Sequence, residues 1–138
     1  MRATGKHTQY FALSVVGLKA MQSELGAASV GVAIAQVVPY PNSGTSPLIR
    51  EFLGMPAEFM PKSGPTYTVL EGYMAGKVFV EALRRAGPQA SREKLLESLN
   101  AMKSYDLGGF TVSYSPTDRL GSKFVEVTII GSSGRIIR

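Results

Sequence analysis

Y-T-V-L-E-G-Y-M-A-G-K-V-F-V-E-A-L-R-R-A-G runs from Tyr67 to Gly87, S-R-E-K-L-L-E-S-L follows from Ser91 to Leu99, and Y-D-L-G-G-F-T-V-S-Y runs from Tyr105 to Tyr114. Val69, Leu70, Tyr73, Val78, Phe79, Val80 and Leu83 occupy more than one face of a helix over about Thr66 to Ala86, so the sequence predicts a helix covered nearly all round. Gly72 and Gly76, one turn apart, predict close approach of a sheet or a second helix; Glu71, Lys77 and Glu81 interrupt the run and turn that spacing away from a membrane. Gly87-Pro88 stops the helix. Ser91 reads as the N-cap of a second helix, Arg92 to Asn100, with Leu95, Leu96 and Leu99 as its buried stripe. After Leu107-Gly-Gly109 the period changes to two: Phe110, Val112 and Tyr114 alternate with Thr111 and Ser113, as in a strand.

Upstream, Met1 to Gly5 reads as the last turn of a helix closing on Gly5, so the chain is expected to begin within an element. Tyr10 to Val16 suits a buried strand of a parallel sheet. The same stretch compares poorly with a signal peptide, because its apolar core is short, contains Ser14 and stops at Lys19. Gly17 to Leu25 reads as a helix with Leu18, Met21 and Leu25 on one face, ended by Gly26. Gly31 to Val38 is a second buried strand, and strand, helix, strand with short connections predicts a right-handed parallel unit. Tyr40 to Ser46 is a loop, Pro47 opens a short helix through Phe52, and Met55 to Pro65 is a loop again. Downstream, Ser115 to Asp118 is a turn, Phe124 to Ile130 a long strand, and Arg135 to Arg138 its partner in a terminal β-hairpin.

With 138 residues, 44% of them hydrophobic, the chain is long enough to bury a core. The formal charge of +5 allows weak attraction to anions. It is not gathered into a stripe, since Glu81 and Glu93 lie near Arg84 and Arg85, and no nucleic-acid partner is expected. Zero cysteines exclude disulfides, thiol catalysis and cysteine metal sites. Catalytic patterns are missing too. His7 is the single histidine, and Asp106 and Asp118 both read as turn residues. On one helix Glu71 and Glu81 stand about 15 Å apart at 1.5 Å per residue, too far for a carboxylate dyad. An enzyme is not expected, nor any cofactor or metal.

R-A-T-G-K-H-T-Q-Y-F from Arg2, G-V-A-I-A-Q-V-V-P from Gly31, the Tyr67 helix and Y-S-P-T-D-R-L-G-S-K-F from Tyr114 form an ordered set. The set resembles the C-terminal part of the type I periplasmic substrate-binding proteins, the leucine/isoleucine/valine-binding receptors of branched-chain amino acid ABC transporters. The resemblance implies an α/β fold built from pieces of two lobes that close on a ligand. Residues 1–38 and 124–138 would then belong to the second lobe, 42–120 to the first, with crossovers near 38–41 and 121–125. It further implies a non-catalytic solute receptor, periplasmic in its parent form, that serves a transporter permease and binds a small amino acid or carboxylate. Much of the first lobe, including the segments that grip a ligand carboxylate, would precede Met1.

On that resemblance Ser14 and Val15 follow the strand where leucine-binding relatives place a carboxylate for the ligand's ammonium group, and Gln36, Pro39 and Tyr40 lie near the mouth of the cleft. Ser14 can accept a hydrogen bond but cannot offset an ammonium charge, so carboxylates without an amino group are open as ligands. Two readings of Ser14 stand side by side: ligand contact, and capping of the helix that starts near Gly17. A rival to the receptor reading is a self-associating fragment with no ligand affinity; a small-molecule enzyme comes third. Homo-oligomerisation is expected in either of the first two, because elements separated from their partners expose apolar surface and strand edges.

Overall fold

The computed structural model of the protein describes residues 8–138, so the helix end read at Met1 to Gly5 and the single histidine, His7, lie outside the described residues. In chain order the elements are β1 (Phe11–Leu13), α1 (Leu18–Leu25), β2 (Ala33–Gln36), α2 (Pro47–Leu53), α3 (Tyr67–Ala86), α4 (Arg92–Asn100), β3 (Tyr105–Asp106), β4 (Thr111–Val112), β5 (Glu126–Ile130) and β6 (Ile136–Ile137). They gather into two compact units. One comprises the described part of Met1–Pro39 with Phe124–Arg138, the other Tyr40–Lys123.

The first unit is a four-stranded sheet in the order β1-β2-β5-β6. Only β1 and β2 run parallel; β5 returns antiparallel to β2, and β6 closes the terminal hairpin. The α/β class read from the sequence therefore holds with a mixed sheet. β1 is shorter than Tyr10 to Val16, because Ser14–Val16 wind into a 3-10 turn that ends on Gly17 at a φ of 65°, a left-handed conformation that glycine adopts without a Cβ clash. One face of the sheet packs on α1: Met21, Val32, Ile34 and Ile130 form the core cluster, with Ala12 and Leu18 against it. On the other face Ala33 is buried, but the expectation of a buried first strand fails for Phe11 and Leu13, which are exposed. Leu25, placed by its spacing on the buried stripe of α1, is also exposed at the last position before Gly26 ends the helix.

The second unit is helical and locally capped. Ser46, Thr66 and Ser91 each accept a hydrogen bond from the backbone N–H three residues on, opening α2, α3 and α4. Leu48, Ile49 and Phe52 of α2 are buried, as are Leu70, Met74, Val78 and Ala82 of α3 and Met102, Leu107 and Val112 beyond α4. Burying each large side chain contributes roughly 1.5–3 kcal/mol. α3 is not covered all round, since Phe79, Val80 and Leu83 are exposed. A Cβ added at Gly72 or Gly76 would meet no atom within 4 Å among the described residues, which corrects the expectation of close backbone approach there. On α4, Leu95 and Leu99 are only half-buried and Leu96 is exposed.

β3 was not legible beforehand. It pairs with β4 across a turn in which the Asp106 carboxylate accepts from the Gly108 and Gly109 amides at 2.9 and 2.7 Å. The alternating strand expected from Phe110 to Tyr114 stops at Val112. Ser113 N–H donates to Gly121 and Tyr114 N–H to Met102, so these backbone donors leave the ladder.

Candidate ligand-binding site

Parallel strands end together, and the crevice outside their carboxyl ends is where open α/β sheets bind ligands. Leu13 is registered with Ala35, so Ser14 and Gln36 emerge at the same end of the β1–β2 pair. Ser14 is half-buried. Its carbonyl accepts from Gly17 N–H at 3.2 Å, while its hydroxyl has no hydrogen bond among the described residues. The capping reading of Ser14 therefore fails: α1 has Gly17 as its N-cap, without a side-chain bond. Val15 is exposed beside it.

Gln36 is committed differently. At 2% exposure it donates from its amide to Thr128 Oγ1 at 3.2 Å, and Thr128 donates in turn to the Ile34 carbonyl at 3.3 Å. A buried amide held in this way orders the strand end and offers little to a ligand. Pro39 is half-buried at the end of the first unit. Tyr40 begins the second unit, where its ring packs on Tyr67 with centroids 6.0 Å apart. The structure thus brings Ser14, Val15 and Gln36 to one sheet edge.

One residue at this edge escaped the sequence reading. Glu126 is registered opposite Gln36, so β5 carries a carboxylate to the same end of the sheet, 112 positions from Ser14 in the chain. Arg138 lies 3.9 Å from it. No local pattern marks Glu126, since only strand pairing places it there.

Elsewhere the ionisable groups form structural clusters. Glu81 is buried and accepts from Arg84 and Arg85, which hold its carboxyl down at about 2, and Arg85 stacks over Tyr105. Both arginines are thus engaged with Glu81 on α3 itself. Glu51 accepts from Tyr73 and Lys77, and burial together with that carboxylate pushes the Tyr73 phenol up to about 12. Asp106 and Asp118 serve turns, as expected. No group of residues able to hold a metal ion occurs among the described residues, and no described helix is long and apolar enough to cross a membrane.

A family model described as periplasmic binding protein matches residues 1–132. Among solved structures, a substrate-binding periplasmic protein from Ralstonia solanacearum is 36% identical with a TM-score of 0.83, over 99% of this chain and 39% of that one. A possible leucine/isoleucine/valine-binding protein from Rhodopirellula baltica SH 1 is 29% identical with a TM-score of 0.85, over 99% and 37%. The leucine binding protein LivK from Thermotoga maritima MSB8, at 22% identity and a TM-score of 0.73, shares the fold. The chain thus spans under two fifths of the length of these proteins. None of the curated proteins compared matches it.

Proposed function

The chain belongs to the periplasmic binding protein family, and from that premise we propose that it is part of the solute-binding receptor of a branched-chain amino acid type ABC transporter. Its sheet unit supplies a piece of the second lobe and its helical unit a piece of the first, with crossovers near residues 38–41 and 121–125. The parent receptor is periplasmic, acts without catalysis and delivers its ligand to a permease.

The observation that supports this reading is the Ser14 hydroxyl, without a hydrogen bond among the described residues, at the carboxyl end of the parallel strand pair. Neither Phe11 to Gly17 nor Ala33 to Pro39 contains a charged residue. A ligand carboxylate or hydroxyl can pair with Ser14. An ammonium group finds its nearest carboxylate on the sheet edge at Glu126, and a buried ammonium without a partner is costly. At this end of the sheet a ligand carboxylate is therefore admitted beside Ser14, while the Glu126 carboxylate already lies beside Arg138.

Affinity in a closing site depends on both walls, so the chain alone is expected to bind leucine, valine and aromatic carboxylates weakly or not at all. A chimera joining it to the remaining part of the Ralstonia solanacearum protein is the direct test. Calorimetry should show micromolar binding of a small carboxylate or amino acid, and Ser14→Glu should move preference by at least about tenfold toward ammonium-bearing ligands. A chimera that folds and binds none of these, or whose ligand profile ignores Ser14→Glu, overturns the assignment.

A further inference from the structure

The little that Gln36 offers a ligand is one atom of fixed character. Its amide nitrogen is spent on Thr128 Oγ1 at 3.2 Å, and the Thr128 hydroxyl hydrogen on the Ile34 carbonyl at 3.3 Å. Thr128 therefore has only a lone pair left for Gln36, which keeps the amide from turning over, since its oxygen would then face another acceptor. That oxygen accepts no hydrogen bond among the described residues. Yet no sealed side-chain oxygen or nitrogen among them is left without a hydrogen bond. The 2% of Gln36 that stays accessible therefore includes its amide oxygen, which a donor from outside the chain can satisfy.

Gln36 is the last residue of β2, and the pairing of Leu13 with Ala35 brings Ser14 beside it, about 4.8 Å away at the usual strand spacing. An acceptor that cannot donate thus stands next to a hydroxyl that can do either. Such a pair suits a ligand whose carboxylate meets Ser14 and whose neighbouring atom donates to Gln36. The surroundings decide the charge of that donor. No charged residue lies within Phe11 to Gly17 or Ala33 to Pro39, and the Glu126 carboxylate has Arg138 beside it. A neutral amide oxygen does not offset a buried ammonium, whereas a hydroxyl brings no charge to offset. We propose that Gln36 is a specificity-determining residue, its amide oxygen accepting from a hydroxyl on the carbon next to the ligand's carboxylate. The site then takes 2-hydroxy acids in preference to plain carboxylates and to amino acids. This inference rests on the receptor reading and narrows its ligand class.

Leucine, its 2-hydroxy analogue and 4-methylpentanoate share one skeleton and differ only in what the carbon next to the carboxylate carries; mandelate and phenylacetate repeat the comparison on an aromatic skeleton. In heteronuclear NMR of the chain itself, millimolar hydroxy acid should shift the Gln36 side-chain amide signals, assigned by their loss in Gln36→Met, and the plain acid should not. In the chimera with the remaining part of the Ralstonia solanacearum protein, the hydroxy acid of one pair should bind at least about tenfold more tightly than its plain analogue, because the analogue leaves a buried acceptor unpaired. Gln36→Met keeps the length of the side chain without its polar atoms and should bring that ratio to about twofold or less with unchanged far-UV circular dichroism. Thr128→Val leaves Gln36 in place but frees its amide to turn, and should lower the ratio partway. A loss of stability alone would weaken both acids alike and leave the ratio where it was. A chimera that binds these carboxylates without favouring the hydroxy acid, that holds leucine more tightly, or whose preference survives both substitutions overturns this inference and leaves the receptor reading standing. A folded chimera that binds none of the five overturns both.

Discussion

In the Tyr40–Lys123 unit each helix starts on a hydroxyl that accepts a backbone N–H three residues along, whereas α1 in the sheet unit starts on Gly17, which has no side chain to offer. Their cores differ in the same sense. In the helical unit Phe52, Leu70 and Met102 are fully buried, while the cluster described in the sheet unit is Met21, Val32, Ile34 and Ile130 on one face. The helical unit is organised by contacts and caps close in sequence. The sheet unit depends on β5 returning to β2 from 94 positions away, as in the Ile34–Thr128 pair. Local signals make a segment self-sufficient, and long-range pairing leaves it dependent on whatever else covers the sheet.

The largest expected effect sets the two cores against each other. Phe52→Ala should cost about 3–5 kcal/mol, because a fully enclosed site cannot collapse around the cavity. Met21→Ala, in the thinner cluster, should fall near the lower end of the 2–5 kcal/mol range, at about 2 kcal/mol. Urea unfolding of both variants checks the order, and equal costs would break the comparison.

Glycines sharpen it at an intermediate scale. Gly108 has a φ of 108°, and a Cβ there would lie 2.8 Å from the Leu48 backbone nitrogen. Gly108→Ala should therefore destabilise by about 2 kcal/mol. Gly72→Ala meets open space within α3 and should stabilise by roughly 0.5–1 kcal/mol through helix propensity. If thermal melts show Gly72→Ala destabilising instead, a neighbour does approach that helix, as the sequence pattern predicted.

The smallest effect is electrostatic. Arg84, and then Arg85, hold Glu81 at about 2, below its ordinary 4.5. A carboxyl depressed in the folded state contributes stability above its unfolded value, and that contribution is lost as the pH falls from 4.5 toward 2. Arg84 is exposed, so screening keeps the effect modest. The melting temperature of Glu81→Gln should vary less with pH across this window than that of the natural chain; parallel profiles would remove Glu81 from the account.

Much of the helical unit was legible because its signals are local. Thr66 and Gly87 bracket α3, Ser91 opens α4 and Pro47 opens α2, each through backbone chemistry that a few residues dictate. β3 escaped because two residues carry no period, and only the Asp106 turn reveals it. At the candidate site Ser14 was named only through the resemblance, and the choice between ligand contact and capping was not legible, since the capping alternative is excluded only by the position of Gly17. Gln36 looked available in the sequence and is buried against Thr128. Glu126 had no local mark at all.

By itself the sequence determined the class of fold, the helices and their ends, the absence of the familiar catalytic motifs and the kinship with solute receptors, because each of these rests on residue chemistry within a few positions or on an ordered set of short matches. Tertiary structure alone decided which strand neighbours which, which face of the sheet carries the core cluster, and that Ser14, Gln36 and Glu126 share one edge. The reason is physical: a strand has two faces and two edges, its side chains alternate between the faces with a period of two, and only pairing with a distant strand settles the register that assigns each residue to core, surface or site.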